Sequence, residues 1–280
     1  MDKIKLITDG SCDLSTEVLE KFNINVVPLG VTFGDEHYTA GVDINNEEFY
    51  KKMKENKELP KTFCPSPDKF AKVYEGEEDK IIIITLTSKL SGTYNSAILA
   101  RDLYLSEHGE KDIRVIDSET GCIGAGLLLM KASKMIQEGK DIDEIVETIE
   151  NLRDKISFYG MLETLENAIK GGRINPIAGK IIGALNFKAI VQITEGVVKP
   201  IDKARGESNS IKKVANYITE SVEDTTGKTL CLVHAHAPEK ADKLLSIIEK
   251  THKFDEVYIS EVGPAMGTYT AQGAVLAAVL

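Results

Sequence analysis

The amino-acid sequence predicts an α/β protein of two domains, with a mainly parallel sheet covered by helices on both faces in the N-terminal domain and a mixed α/β domain after it. The chain has 280 residues, which is long for a single hydrophobic core. Its four consecutive isoleucines, Ile81–Ile84, are typical of a strand that is buried on both faces. Strands and helices alternate up to residue 153, and this order favours right-handed crossovers and parallel pairing.

In the N-terminal half, hydrophobic spacing and capping residues predict the elements one by one. Strand 3–8 precedes a helix over 16–22 with Ser15 as N-cap, and strand 25–32 precedes an irregular hairpin over 33–43. Asn46 is expected to cap a helix that ends at Glu55, Thr62 is expected in a loop, and Ser66 before Pro67 begins a helix that ends at Tyr74. The remaining predictions are strand 81–85, helix 94–105, strand 113–117, a helix that ends near residue 137, and helix 141–153.

The pattern changes after residue 156, so we predict a domain change near residue 160, which gives domains of 1–160 and 161–280. A short helix over 165–169 ends at Gly171-Gly172, and 176–185 is a further helix candidate. Residues 189–194 and 197–201 predict a hairpin that turns at Glu195-Gly196. Helix 210–223, strand 229–235, helix 238–250 and strand 256–262 follow, and a glycine-rich turn then leads to an expected small-residue helix at the end.

Composition excludes several classes of function. The formal net charge is −10 with no basic patch, so nucleic acid is not an expected partner. The apolar runs are too short for stable membrane insertion, and the N-terminal residues show no secretory signal pattern. The four cysteines have no CxxC spacing, which favours a reducing cytoplasm over a disulfide framework or a zinc site.

Several catalytic and cofactor motifs fail on their spacing. Residues 121–126 read GxxGxG, the reverse of the dinucleotide fingerprint, and 172–180 has the wrong spacing for a phosphate loop. His234 and His236 could share one face of a strand end, but no third metal ligand accompanies them. No GxSxG elbow surrounds Ser91, although a histidine could approach it in space, so a Ser91-dependent hydrolase or acyltransferase stays open as an alternative.

What remains is a set of hydroxyl-bearing glycine turns. They are Thr62, the turn Ser91-Gly92-Thr93, and the segment with Thr268 and Tyr269, while Arg173 follows a Gly-Gly pair. Neutral donors with one guanidinium suit a carboxylate better than a polyphosphate, which needs more cations or magnesium. Ser91 could instead only cap a helix, and Arg173 could equally form a surface salt bridge.

These turns belong to a longer series of motifs through which the chain resembles the DegV family of bacterial fatty-acid-binding proteins. The motifs, in order, are 8–14 (TDGSCDL), 62–66 (TFCPS), 88–97 (SKLSGTYNSA), 115–118 (VIDS), 170–174 (KGGRI), 203–205 (KAR) and 263–274. The resemblance implies a lipid carrier, not an enzyme, that has no cofactor and holds one long-chain fatty acid of the palmitate or oleate class. It also implies presentation of that acid to a fatty acid kinase.

The resemblance assigns roles to particular residues. Thr62 and Ser91 would hydrogen-bond the fatty-acid carboxylate, with Gly92, Thr93, Thr268 and Tyr269 around it and Arg173 near the head group or a partner. Tyr269 stands where the family commonly has histidine, and Phe63-Cys64 and Ala271-Gln272 also depart from its pattern. Candidates for the apolar lining, which could equally be ordinary core, are Leu127, Leu128, Ile181, Ile182, Leu185, Ile190 and Met266.

Overall fold

The fold was obtained as a computed structural model that describes residues 3–56, 58–179 and 187–280. Its first half contains β1 (Ile4–Asp9), α1 (Thr16–Lys21), β2 (Ile24–Val27), β3 (Gly30–Phe33), β4 (Glu36–Thr39), α2 (Asn46–Glu55), β5 (Lys61–Phe63), α3 (Pro67–Tyr74), β6 (Lys80–Thr85), α4 (Thr93–His108), β7 (Asp112–Asp117), α5 (Cys122–Gln137) and α6 (Ile142–Leu152). Its second half contains β8 (Ser157–Leu162), α7 (Glu166–Lys170), α8 (Pro176–Gly179), β9 (Phe187–Thr194), β10 (Val197–Arg205), α9 (Glu207–Glu220), β11 (Thr229–His234), α10 (Pro238–Ile248), β12 (Glu256–Glu261), α11 (Pro264–Thr270) and β13 (Val275–Val279).

The N-terminal sheet is parallel and has helices on both faces, as the isoleucine run predicts. Its strand order is β2-β1-β6-β7. Ile81 and Ile83 belong to the apolar cluster that also contains residues of α3 and α4, whereas Ile82 and Ile84 belong to the cluster with residues of α5 and α6. All four side chains are fully buried. Alternation along one strand therefore feeds two helical layers.

The second large sheet is mixed, with the order β10-β9-β8-β13-β11-β12, in which only β11 and β12 pair in parallel. One face, with Met161 and Ile190, packs with residues of α9 and α10. The other face, with Phe158 and Val191, joins the core shared with the N-terminal sheet and α5. Helix α5 contacts strands of both sheets and so lies between them. The division at residue 160 itself stays a prediction.

A third, small sheet corrects the prediction of one strand over 25–32. That segment splits at Pro28 into β2 of the parallel sheet and β3 of an antiparallel sheet with the order β4-β3-β5. Proline has no backbone N–H for a ladder, so it suits the break between two strands. The loop prediction for Thr62 is also wrong, since Thr62 lies in β5 and pairs with Val31.

Two further predictions are wrong in detail. The segment expected to be a C-terminal helix is instead β13, a buried strand between β8 and β11. The prediction failed because a short apolar run cannot be assigned to helix or strand by periodicity alone. The cap of α2 is Asn45, not Asn46: its side chain accepts from the Glu48 amide at 2.9 Å, and Glu48 accepts in return. The helix predicted over 176–185 is seen as α8, and 180–186 lie outside the described residues.

The remaining general predictions concern membranes and cysteines. Among the helices that the structure describes, none has the length and apolar character that crossing a bilayer requires. The four cysteines are free, with Cys64 exposed and the other three buried.

Candidate functional site

A mostly apolar cavity lies where the carboxyl end of the parallel sheet meets the inner face of the mixed sheet. The loop after β6 and the start of α5 form one side, β8, β9, β10 and β13 form another, and β5 with α11 closes a third. Ligands in α/β proteins commonly bind beyond the carboxyl ends of parallel strands. The space between the lining atoms is about 850 Å³, a figure that includes the mouth.

The apolar part of the lining comes mainly from strand faces and loop ends. Its members are Leu29, Leu86, Leu90, Gly121, Phe158, Leu162, Ala168, Ile174, Val191, Ile193, Val198, Ala265, Met266 and Leu276. Of the lining residues expected from sequence, Met266 is on the cavity. Leu127, Leu128 and Ile190 are fully or almost fully buried in the cores and do not line it, while Ile181, Ile182 and Leu185 lie outside the described residues.

Alternation along β9 explains the error at Ile190. Val191 and Ile193 point to the cavity, so Ile190 points to the opposite face, where it packs with residues of α9 and α10. The same period of two places Phe158 and Leu162 on the cavity and Met161 behind it. These residues could have been identified from the sequence if the inward-facing side of β8 and β9 had been known.

Four side chains form what we call the polar cluster of the cavity: Thr62, Ser91, Arg173 and Tyr269. Thr62 in β5 and Tyr269 in α11 are joined by a hydrogen bond of 2.6 Å between their hydroxyl oxygens. Because the two residues come from distant parts of the chain, this bond fastens β5 to α11 at the cavity. Each pair of hydroxyls has two protons and uses one internally, so one proton stays available to a ligand.

Ser91 is placed by the loop that follows β6. Its amide donates to the Thr87 carbonyl at 3.2 Å, and its hydroxyl lies 2.8 Å from the Thr93 hydroxyl at the start of α4. The Thr93 amide also donates to Ser91 Oγ at 3.3 Å. Ser91 therefore supports the helix start and lines the cavity, so the capping interpretation and the binding interpretation are compatible.

Arg173 covers Tyr269. Its Nε donates to the Leu90 carbonyl at 3.1 Å and its Nη1 to the Gly171 carbonyl at 2.7 Å. These bonds hold the guanidinium carbon 4.7 Å from the centre of the Tyr269 ring, a cation–π contact. Gly171 is required here because a Cβ atom would lie 2.4 Å from Cε1 of that ring. The salt-bridge alternative finds no support, since these partners are carbonyls and a ring.

The other expected site residues lie beside the cavity and do not line it. Gly92 is exposed at the N-cap of α4, and Thr93 is fully buried behind Ser91. Thr268 is fully buried, and its hydroxyl donates to the Pro264 carbonyl within α11 at 3.0 Å. Thr270, which belongs to the same hydroxyl-bearing turn as Thr268 and Tyr269, does line the cavity. Ligand contacts of all these residues stay predictions.

The cavity offers little acid–base chemistry. Among its described lining residues there is no histidine, lysine, aspartate or glutamate, and the described partner of the Ser91 hydroxyl is Thr93. Cys122 lines the cavity, but burial raises the pKa of its thiol well above the ordinary value, which keeps it protonated and unreactive. A nucleophilic serine needs a base within hydrogen-bond reach, and this arrangement does not provide one.

The motifs that failed on spacing have structural roles. In the GxxGxG segment, a Cβ at Gly124 would lie 2.4 Å from Thr120 Oγ1, and one at Gly126 would lie 2.7 Å from a methyl carbon of Leu14, so these glycines serve close packing of α5. His236 contacts Glu261 at 3.1 Å. Within the described part of the chain, no group of three or more potential ligands could hold a metal ion.

Comparison with known proteins gives the family. The family model described as "Uncharacterised protein, DegV family" matches residues 3–280. A DegV domain-containing protein of Caldanaerobacter subterraneus subsp. tengcongensis is 33% identical over 277 residues, covering 98% of this chain and 97% of that protein.

Solved structures agree in fold over nearly the whole length. A DegV family protein from Ruminococcus gnavus, crystallised with vaccenic acid, superposes with a TM-score of 0.92 at 29% identity and covers 98% of this chain and 99% of its own. The Streptococcus pneumoniae Fatty Acid Kinase (Fak) B3 protein, loaded with linoleic acid, has a TM-score of 0.87 at 25% identity and 99% coverage of both chains. From the family match and the curated relative together, the chain belongs to the DegV family.

Proposed function

We propose that the protein binds one long-chain fatty acid, with the alkyl tail in the cavity and the carboxylate at the polar cluster, and that it presents this carboxylate to a fatty acid kinase. The observation on which the proposal depends is an apolar cavity that carries uncharged hydroxyl donors. The relatives crystallised with vaccenic and linoleic acids support the ligand class. The name of the pneumococcal relative supports the kinase partnership.

Burial of the alkyl tail would supply most of the affinity. Each buried methylene contributes roughly 0.8 kcal/mol, so a tail of about 14 methylenes gains on the order of 11 kcal/mol before ordering costs. Association and ordering cost about 4 kcal/mol or more, and the remainder of about 7 kcal/mol corresponds to roughly 10 μM binding from the tail alone. Affinity is therefore set mainly by the tail.

The hydroxyl groups set the orientation. An ionised carboxylate must keep hydrogen-bond donors when it leaves water. The pair Thr62–Tyr269 and the pair Ser91–Thr93 each have one proton beyond their internal bond, and these two protons match the two carboxylate oxygens. Tyr269 provides a phenol donor where the family commonly has histidine. Arg173 supplies a positive charge above the Tyr269 ring.

The proposal is tested by native mass spectrometry on protein delipidated under denaturing conditions and then refolded. We expect uptake of one palmitate or oleate per chain, and reduced uptake by the Thr62→Ala/Ser91→Ala double variant. Thr219→Ala/Ser246→Ala is the matched control, because each hydroxyl bonds a carbonyl of its own helix and neither residue lines the cavity. Recovery of apo-protein alone after addition of either acid would refute the proposal.

The kinase step is tested separately. Loaded protein, ATP and a purified fatty acid kinase should together yield acyl-phosphate, detected as the hydroxamate after hydroxylamine treatment. Uptake without phosphorylation would leave the protein a carrier and remove the kinase partnership. The same preparation, assayed alone with a p-nitrophenyl ester, tests the hydrolase alternative, for which turnover would have to disappear in Ser91→Ala.

A further inference from the structure

Asp13 lies behind the wall of the cavity and takes no part in the binding just proposed. It sits in the turn between β1 and α1 and is 7% exposed. Its Oδ1 accepts from the Gly263 amide at 2.8 Å, and its backbone carbonyl accepts from the Ser260 hydroxyl at 2.5 Å. This turn is thereby fastened to the segment that leads into α11, which carries Met266 and Tyr269 of the cavity.

Asp13 also touches a second part of the wall. The Cys122 thiol, which lines the cavity, lies beside the carboxyl group of Asp13. Both residues have a left-handed backbone, with φ of 49° at Asp13 and 50° at Cys122. Non-glycine residues in this region are uncommon and are often found at functional positions. The carboxyl group thus touches α5 and the segment leading into α11.

The surroundings of the carboxyl group oppose its ionisation. Oδ2 is buried and has no hydrogen-bond partner of good geometry among the described residues. The titratable groups that face Asp13 in the described part of the chain are Asp9 of β1, Cys12 of the same turn, Cys122 of α5 and Tyr50 of α2. Beyond Tyr50 lie Glu261 of β12 and His236, whose ring stacks on Tyr50 at 5.3 Å and whose Nδ1 lies 3.1 Å from Glu261.

The pKa of Asp13 is raised to about 7, mainly by burial and to a smaller extent by the nearby Asp9 carboxyl, against the lowering effects of the Cys122 thiol and the Gly263 amide. Since burial is the largest of these contributions, the cost of desolvation outweighs the gain from the hydrogen bond to Gly263. The carboxyl group is therefore neutral below this pH and becomes an unpaired buried charge above it.

We infer that protonation of Asp13 controls access to the cavity. The protonated carboxyl group keeps α11 closed over the ligand, and the ionised carboxylate favours ligand exchange. This inference rests on the proposed function, because it concerns regulation of the same cavity. Opening at Gly263 would hydrate the carboxyl group and displace the helix that carries Met266 and Tyr269.

The direction of the effect follows from proton linkage. The pKa of Asp13 is raised in the folded, closed state above its ordinary value, so this state binds the proton more tightly than an opened one. The closed state is favoured most below the ordinary pKa of aspartate, 3.8, and this advantage falls as the pH rises until it is exhausted above about 7. Fatty-acid release should consequently accelerate as the pH rises towards 7 and level off above it.

The test measures release of cis-parinaric acid into excess oleate by stopped-flow fluorescence from pH 5.5 to 8.5. For the wild-type protein we expect the release rate to rise roughly threefold to tenfold between about pH 5.5 and pH 7 and to level off above it. Asp13→Asn keeps the side-chain shape and tolerates the left-handed backbone, so its release rate should not change with pH. Asp143→Asn, an exposed change on α6, should keep the wild-type profile. A wild-type rate that is flat across this range would overturn the inference.

A second measurement separates this inference from the proposed function. Amide hydrogen exchange over 260–270 in the ligand-free wild-type protein, corrected for intrinsic rates, should show more opening at pH 8 than at pH 6. If no fatty acid binds at any pH, the proposed function fails, and exchange alone decides about Asp13. If Asp13→Asn does not fold, the exchange profile of the wild-type protein still tests the role of Asp13. Equal protection of 260–270 at both pH values would refute that role.

Discussion

The two large sheets meet at the same cavity but contribute to it in different ways. The parallel sheet presents strand ends, and the loop after β6 supplies Leu90 and Ser91. The mixed sheet presents a strand face, from which Phe158, Val191 and Ile193 supply apolar side chains. Loop ends offer hydroxyl and amide groups that can hydrogen-bond a ligand, whereas a strand face offers apolar contact area. One sheet can therefore set the orientation of a ligand while the other supplies most of its affinity.

The sharpest test of this division is to fill the cavity from the mixed sheet. Ile193→Trp adds the volume of roughly two methylenes and overpacks the wall, so fatty-acid binding should weaken by about 3 kcal/mol. Ile193→Leu, which keeps the volume, is the matched control and should bind within about 0.5 kcal/mol of wild type. Titration calorimetry with oleate measures both. Equal affinity of the two variants would show that the tail does not contact this face.

A smaller effect is expected where the polar cluster is built on close packing. Gly171→Ala places a methyl group in the Tyr269 ring, whose Cε1 would be 2.4 Å away, and so displaces the phenol from Thr62. We expect binding to weaken by about 2 kcal/mol, as one charge-assisted hydrogen bond and part of the packing are lost. The same calorimetric titration provides the measurement.

Gly92→Ala is the matched glycine control for this prediction. A Cβ there would meet Cys64 Sγ at 3.6 Å, an ordinary contact, and the backbone φ of −75° suits alanine. The variant should therefore bind as wild type does. A loss of affinity as large as that in Gly171→Ala would mean that the loop after β6, and not the phenol, dominates the head-group contact.

The hydroxyl groups of the polar cluster come next in size. Ser91→Ala and Thr62→Ala should each weaken binding by about 1–2 kcal/mol, the contribution of one hydrogen bond to a charged group. Thr62→Val combined with Tyr269→Phe should cost less than the sum of the single changes, because the two hydroxyls bond each other. Unchanged affinity in both alanine variants would remove the polar cluster from carboxylate binding.

The polar contribution of the loops was easier to predict from the sequence than the apolar contribution of the strand face. The hydroxyl-bearing turns were visible as motifs, and three of the four residues of the polar cluster lie in glycine-rich segments of the chain. The bond between Thr62 and Tyr269 was not predictable, since it joins elements 207 positions apart. The parallel sheet could be predicted from its isoleucines because a strand buried on both faces has a local signature.

The mixed sheet was harder to predict because its apolar runs are short and its pairing is non-local. Val275–Val279 is equally apolar as a helix or a strand, and only its place between β8 and β11 makes it a strand. Ile190 and Val191 have similar side chains, yet opposite faces of β9 place one in the core and the other on the cavity. Which face turns inward is fixed by register with distant strands, which a single sequence does not give.

The smallest effect is expected where the two sheets touch at the tip of the β9–β10 hairpin. The buried Thr87 hydroxyl donates to the Gly196 carbonyl at 3.2 Å, and Lys89 Nζ donates to the Glu195 carbonyl at 2.7 Å. Thr87→Val leaves a carbonyl without its partner and should lower stability by about 1 kcal/mol, measured by urea unfolding. Lys89→Ala removes an exposed contact and should cost less than about 0.5 kcal/mol.

Oleate titrations of the same two variants show whether this hairpin tip belongs to the polar cluster or to the apolar wall. Because the tip supports strands that carry Val191, Ile193 and Val198, loosening it should weaken the binding of oleate and oleyl alcohol alike, without changing the preference for carboxylate over alcohol. The contrary outcome is that Thr87→Val lowers the affinity for oleate and leaves the binding of oleyl alcohol unchanged. In that case the hairpin of the mixed sheet would take part in orienting the carboxylate, and the assignment of orientation to the parallel sheet alone would be wrong.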